Sequence, residues 1–315
     1  MALIHLGLGS MGNAMAQNLQ KKCCSKDPLR FFNRTAVRGK SLQALGAFPC
    51  DSVAHLVDES DIIFTSLSDD AALESIIQQI ASCGHLTGKI IVDTTTVHPD
   101  TTKSMAAKLS AVDAQFVSAP VFGATPMAEA GQLLIAVAGP DDAIRVISPL
   151  LKGVIARNVM VVSREPQKAT LLKTLGNFMI AGIMEIVAEA HVFADKTGLG
   201  SNILEDLIEQ NFGALAYSDS RRMTTGVYCP GKDQAPYSDL NLALKDVGHG
   251  LSCAQNVGVK LGVAHVVLEN LNKAKQYSED HGGRALDSSS LFGAVRSDAG
   301  LDFRTDFVKK RDGEN

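Results

Sequence analysis

The chain has little of what marks several large classes of protein. It carries no excess of basic residues: 30 Lys and Arg stand against 34 Asp and Glu, a formal net charge of −4 over 315 residues. Nucleic-acid binders draw most of their affinity from a basic face, so no nucleic-acid partner is expected. The eight histidines and six cysteines are scattered, without H-x-x-x-H or H-E-x-x-H spacing, and no metal site is expected. Cys23, Cys24, Cys50, Cys83, Cys229 and Cys253 suggest no disulfide framework and read as reduced thiols. No apolar run reaches the length of a membrane span; the longest candidate, near Phe178 to Val187, is interrupted by Glu185. A basic leader region is missing ahead of the first apolar run, so no signal peptide is expected and the location is expected to be cytoplasmic. There is no internal repeat and no low-complexity tract. A hydrophobic content of 45% over this length is enough for two cores.

What is present begins at once. An apolar run from Ala2 to Leu6 leads into Gly7-Leu8-Gly9-Ser10-Met11-Gly12, after which Ala14, Met15, Ala16 and Leu19 continue with helical spacing. In a dinucleotide-binding turn the first glycine permits a bend closed to residues with a Cβ. The second lets the backbone approach a pyrophosphate, and the third lets helix and strand pack closely. The following helix would aim the free N–H groups of its first turn at the phosphates.

The end of the second strand is where a carboxylate would take the ribose hydroxyls of NAD. It reads Phe31-Phe32-Asn33-Arg34-Thr35, with no acid. Asn33, Thr35 and the planar fork of Arg34 suit a 2′-phosphate instead, so NADP(H) is favoured over NAD(H). Arg38 and Lys40 add to the positive field without specifying anything.

Strand and helix signals then alternate. Ser41–Phe48 reads as a short amphipathic helix, Asp61–Leu67 as the third strand and 71–81 as a helix. Leu67 and Ser68 fall at the C-terminal edge, where open α/β sheets bind ligands. Ile90–Asp93 is the fourth strand, and Thr94, Thr95 and Thr96 at its end present hydroxyls to a nicotinamide or substrate, or serve ordinary turn chemistry. His98 lies close by in the same loop. The next strand, from Gln115, breaks at Pro120 into Val121-Phe122-Gly123-Ala124, and Ser118 with the loop's N–H groups suits an anionic substrate group. Leu133–Ala138 is a strand, Asp141–Leu151 a helix and Asn158–Val162 a last strand. The pattern is that of a Rossmann-type, doubly wound α/β parallel sheet over 1–164, with 165–315 as an all-α domain.

The two are joined by a long helix from Pro166 to a stop at Gly198, apolar on nearly every side and therefore buried between domains. Lys173 and Asn177 are four apart on it and share one face, with Gly176 beside them. Two readings fit. A lysine in an apolar helix loses hydration of its ammonium, which lowers its pKa toward neutrality and suits proton exchange. Alternatively Lys173 snorkels to the surface and Asn177 satisfies a neighbouring helix. Beyond Gly200 the helices read as Ile203–Gln210, Leu240–Val257, Gly262–Tyr277 and Leu286–Val295. A polar crossing runs from Ser218 to Tyr237, and a charged, frayed tail begins at Lys309.

Four motifs in order resemble the β-hydroxyacid dehydrogenase family, which includes 3-hydroxyisobutyrate dehydrogenase and the glyoxylate/succinic semialdehyde reductases. They are GLGSMGNAMAQNL at 7–19, SAPVFGATPMAEAGQL at 118–133, KTLGN at 173–177 and LALKD at 242–246. The resemblance implies that Lys173 is the general acid/base and Asn177 a substrate-orienting amide. It implies that Ser118, Phe122, Gly123 and Thr95 or Thr96 lie at the substrate and nicotinamide, and that Lys245 closes over the cofactor with Asp246 in support. It further implies hydride transfer between NADPH and a small aldehyde or ketoacid, with a 3-hydroxy acid in the reverse direction, in a homo-oligomer, dimer or tetramer. Phe122-Gly123-Ala124 stands where many relatives have serine-glycine-glycine, which implies a bulkier or less polar substrate. A non-catalytic NADPH-binding sensor or interaction module, and an imine reductase, are the alternative readings.

Overall fold

The computed structural model describes residues 2–24, 26–84 and 86–313. Strands and helices alternate through the first half: β1 (Leu3–Leu6), α1 (Ser10–Cys23), β2 (Arg30–Phe32), α2 (Lys40–Gln43, after a 3-10 turn at Ala36–Gly39), β3 (Phe48–Pro49), α3 (Val53–Asp58), β4 (Ile62–Thr65), α4 (Asp70–Ala81), β5 (Ile90–Asp93) and α5 (Pro99–Ser110). There follow β6 (Gln115–Ser118), β7 (Val121–Phe122), α6 (Thr125–Glu129), β8 (Leu133–Ala138), α7 (Asp141–Leu151) and β9 (Ala156–Ser163). The remainder is helical: α8 (Gln167–Thr197), α9 (Ser201–Asn211), α10 (Gly213–Thr224), α11 (Leu240–Asn256), α12 (Gly262–Asp280), α13 (Leu291–Asp298) and α14 (Asp306–Arg311). Two compact units result, the division falling between Thr174 and Leu175 inside α8.

In the first unit the sheet order is β3-β2-β1-β4-β5-β6-β8-β7, with β9 on the free side of β8. Every pair from β3 to β6 is parallel. The sheet is thus parallel-dominated rather than wholly parallel: β8 runs antiparallel to β6 and β7, and β9 runs parallel to β8. The central strands β1, β4 and β5 are buried on both faces because helices cover both, whereas β3 and most of β9 are exposed. Ile62 and Phe64 of β4 and Val92 of β5 join Met15 and Leu19 of α1 and Ile147 of α7 in one layer. Ile63 and Ile91, pointing the other way, join Leu56, Ile77 and Met105 of α3, α4 and α5. Each fully buried leucine or isoleucine here contributes roughly 1.5–3 kcal/mol.

Several expected boundaries move. The stretch expected as one helix over Ser41–Phe48 stops at Gln43, because Gly46 takes φ +88° and Phe48 N–H then bonds Leu29 C=O to open β3. Helix α5, not anticipated, starts on Pro99 at its first position, and the His98 ring accepts from Asp100 N–H at 3.2 Å as its cap. The tail expected to fray is folded within the described residues: Val308 of α14 is buried, and the Arg311 guanidinium donates to the carbonyls of Gly226 and Cys229. Its last two residues, 314 and 315, lie outside the described residues. The polar crossing contains most of α10, whose Met223 is fully buried.

The second unit packs Met184, Val187, Ala188 and Val192 of α8 with Val247 of α11, Val267 and Leu271 of α12 and Phe292 of α13. By length and composition α8 is apolar enough to cross a membrane, contrary to the expectation that no run reaches that length. Contrary to the expectation of a helix buried all round, one side packs in the core of the second unit, where Glu185 is buried and accepts from the Asn270 amide at 2.6 Å, and Leu175, Met179, Ile186 and Phe193 on another side are exposed. Burial lifts the Glu185 carboxyl to about 7.

A carboxyl held above its unfolded value favours the fold while protonated and loses that contribution as pH rises through about 7. Replacing Glu185 by Gln should therefore raise the thermal midpoint at pH 8 by the equivalent of about 1–3 kcal/mol and change it little at pH 4.5. Equal shifts at both pH values in a thermal melt would show that ionisation of Glu185 is not the cause.

Candidate active site

The glycine turn lies between β1 and α1. Gly7 takes φ +89°, and a Cβ on it would sit 2.2 Å from the Ser66 carbonyl oxygen at the end of β4. A Cβ on Gly12 would lie 2.3 Å from the Gly7 carbonyl oxygen. Those two glycines are required by protein packing. Gly9 differs: nothing lies within 4 Å of where its Cβ would be. Helix α1 starts on Gly9 without a side-chain cap, so the N–H groups of Ser10, Met11 and Gly12 look for partners outside the helix. A cleft of about 290 Å³ lies here, lined by Leu8, Gly9, Ser10, Asn13 and Arg38. An anionic group with a narrow backbone-facing side fits this cradle, as a dinucleotide pyrophosphate does.

Asn33, read from the sequence as a cofactor ligand, is engaged within the protein. Its Oδ1 accepts from Leu8 N–H at 2.8 Å and its Nδ2 donates to the Thr35 carbonyl at 2.8 Å, which ties the end of β2 to the glycine turn. Arg34 and Thr35 are exposed beyond it. Arg38, given only a general role by the sequence, is the cation that lines the cleft. Its place on the 3-10 turn, four residues after Arg34, is the signal that could have found it.

At the C-terminal ends of β4 and β5 the polar groups bond to one another. One oxygen of Asp93 accepts from Thr65 Oγ1 at 2.7 Å, Thr95 Oγ1 at 2.6 Å and Thr95 N–H at 3.2 Å. Thr95 Oγ1 in turn accepts from Leu67 N–H at 3.1 Å. Thr95 is buried and its hydroxyl holds the Leu67 backbone; Thr96, half-buried, follows it. Burial pushes the Asp93 carboxyl up to about 6 against the pull of these bonds. Ser68 is exposed and donates to Asp69 at 2.7 Å, while Asp69 caps α4 through Ala72 N–H at 2.8 Å. Ser118, opposite Asp93 in the ladder, is fully buried, and its hydroxyl has no hydrogen-bond partner among the described residues.

Lys173 belongs to the first unit, near the start of α8. Its Nζ stands 4.6 Å from the centroid of the Phe122 ring, a cation–π contact. The ring and Leu172 pack on a small cluster formed by Ala136 and Ala138 of β8 and Ala169 of α8. Gly123, next to the ring, takes φ +130° and is exposed. In the second unit Asn177 donates to Asp246 at 2.7 Å, and Lys245 Nζ pairs with the other oxygen of Asp246 at 3.1 Å. Asp246 thus bridges the two groups that the sequence marks separately. Among the described residues no group of three or more His, Cys, Asp or Glu side chains has a metal-binding arrangement.

Comparison with known proteins agrees with this geometry. Residues 2–163 match the model of the NAD-binding domain of 6-phosphogluconate dehydrogenase, and residues 168–294 that of the NAD-binding region of NADP-dependent 3-hydroxyisobutyrate dehydrogenase. The chain is 32% identical to the NADH-dependent oxidoreductase ucdB of Aspergillus ustus, over 94% of this chain and 99% of that one. It is 30% identical to the mitochondrial 3-hydroxyisobutyrate dehydrogenase of Drosophila melanogaster, over 84% of this chain and 82% of that one. The crystal structure of a 3-hydroxyisobutyrate dehydrogenase from Salmonella typhimurium superposes with a TM-score of 0.79 at 21% identity, covering 93% of this chain and 99% of that one. The glycine turn, the two-part fold and the order of the motifs have one common explanation: the chain belongs to the β-hydroxyacid dehydrogenase family of NAD(P)-dependent oxidoreductases.

Proposed function

We propose that the protein reduces a small carbonyl compound with NADPH, with Lys173 as the proton donor. The observation that carries this reading is the Lys173 ammonium, held 4.6 Å from the Phe122 ring in the same unit as the dinucleotide turn. Bound NADPH supplies the hydride. Lys173, as ammonium, gives a proton to the oxygen on which charge develops, and in the reverse direction the neutral amine takes the hydroxyl proton. By resemblance to the family, Asn177 is assigned to orienting the substrate and Lys245 to the cofactor, with Asp246 fixing both side chains.

A phosphate-bearing cofactor is supported by the end of β2, where no carboxylate stands and where Arg34, and Arg38 on the 3-10 turn that follows, are exposed. A second copy of the chain is assigned to the exposed stripe of Leu175, Met179, Ile186 and Phe193 on α8. At 1.5 Å per residue these four side chains span about 27 Å of helix, long enough to bury only against another large surface.

Three outcomes follow. Lys173→Ala should leave NADPH binding intact, measured by fluorescence titration, while turnover falls about 10²–10⁴-fold; undiminished turnover removes Lys173 from the reaction. The pair Arg34→Ala and Arg38→Ala should weaken NADPH about 10–100-fold each and leave NADH nearly unchanged; equal weakening of both cofactors argues against a 2′-phosphate site. Phe193→Glu should lower the mass seen by light scattering to that of a single chain, and an unchanged mass places the contact elsewhere.

A further inference from the structure

The reading above leaves the substrate as a small carbonyl compound, and the surroundings of Lys173 narrow it. From Ala119 to Ala124 the chain reads Ala-Pro-Val-Phe-Gly-Ala, six residues without one hydrogen-bonding side chain. Part of the backbone, from Ala119 to Phe122, is engaged as well. Ala119 N–H donates to the Asp93 carbonyl at 2.7 Å, Pro120 has no N–H, and Val121 and Phe122 are paired with Ile135 and Leu134 of β8. Ser118, the one hydroxyl at the start of the segment, is fully buried. What this wall presents is the Phe122 ring, standing on Ala136, Ala138, Ala169 and Leu172.

A carboxylate brought out of water needs several donors to replace its hydration, and the side chains of this segment offer it only methyl groups and an arene. The nearby cation is Lys173 itself, 4.6 Å from that ring. An anionic substrate would draw the ammonium into an ion pair with its own carboxylate and away from the carbonyl oxygen that has to receive the proton. An uncharged apolar substituent leaves the ammonium for the carbonyl and buries its own surface on Phe122, by offset or edge contact where it is aromatic.

We propose that Phe122 makes this enzyme select carbonyl substrates whose substituent is apolar and uncharged, an aryl- or alkyl-substituted aldehyde or ketone, over those that end in a carboxylate. The selection rests on the oxidoreductase reading, since it is expressed in turnover. Phe122 acts through the ring face offered to Lys173 and the wall offered to the substrate. A substrate-sized difference of this kind in an apolar pocket separates competitors by about 10–200-fold.

The test is NADPH consumption by the intact protein with 3-phenylpropanal and with succinic semialdehyde, reading kcat and KM separately. The wild-type protein should show a kcat/KM at least about tenfold higher for the phenyl aldehyde, most of it in KM. Phe122→Ser should abolish or invert that ratio by raising KM for the phenyl aldehyde and lowering it for the carboxylated one. Phe122→Leu, which keeps the apolar wall, should keep the preference. A wild-type preference for succinic semialdehyde, or a ratio that Phe122→Ser leaves unmoved, overturns the proposal. Consumption with neither aldehyde in the presence of bound NADPH counts against the carbonyl-reductase reading itself, and so is distinguishable from a failure of the selectivity alone. Should the serine variant not fold, the wild-type ratio and the leucine variant decide.

Discussion

The first unit is built around two places where no side chain fits. At Gly7 a Cβ would fall inside the contact distance of the Ser66 carbonyl oxygen, and at Gly12 inside that of Gly7's own. These approaches bring the ends of β1 and β4 together and turn the chain into α1 in a single step. Everything downstream inherits that geometry: the amides of the first turn of α1 open into the cleft at Gly9, and the end of β2 can reach back to Leu8 through Asn33. The third glycine of the turn and the first are thus architectural, and the middle one keeps room for a ligand.

Once the strand ends are fixed, most of their polar groups are used within the protein. Asp93 gathers two threonine hydroxyls and an amide on one oxygen, and Thr95 passes the constraint on to Leu67. Asp70 does similar work between helices, accepting from His98 N–H at 2.8 Å and Thr101 Oγ1 at 2.7 Å, so that α4 and α5 begin from a shared point. Such networks are stiff because each bond restricts the next, and a buried carboxyl left half satisfied would cost more than it gains. The edge of the sheet is therefore a preorganised platform whose rigidity comes from bonds among its own polar groups.

The amino-acid sequence makes the fold legible wherever periodicity and punctuation agree. The strands at Ile90–Asp93 and Leu133–Ala138 and the helix at Asp141–Leu151 have the expected bounds, and the doubly wound order follows from their alternation. Where it misleads, the cause is tertiary. The bond from Leu8 N–H to Asn33 joins residues 25 apart in the chain, and no local pattern announces it. The tail from Lys309 reads as solvated charge, whereas a single buried valine and an arginine reaching two carbonyls fold it as α14. Helix α5 begins on a histidine cap, a rarer signal than the Ser or Asp caps of α3 and α4. The bridging role of Asp246 could be read from its place beside Lys245, but its bond to Asn177 spans 69 residues.

The two lysines of the family motifs are set in opposite surroundings. Lys245 lies against a carboxylate, Asp246, whose other oxygen holds the Asn177 amide. Lys173 faces an aromatic ring on a floor of alanines. The attraction of an ammonium to an arene is weaker and broader than an ion pair, about 0.5–2 kcal/mol, and on the proposed reading it helps to orient the proton donor. On the proposed reading Phe122 bears on the proton donor and on the substrate wall at once, so a change of side chain at this position would alter both together.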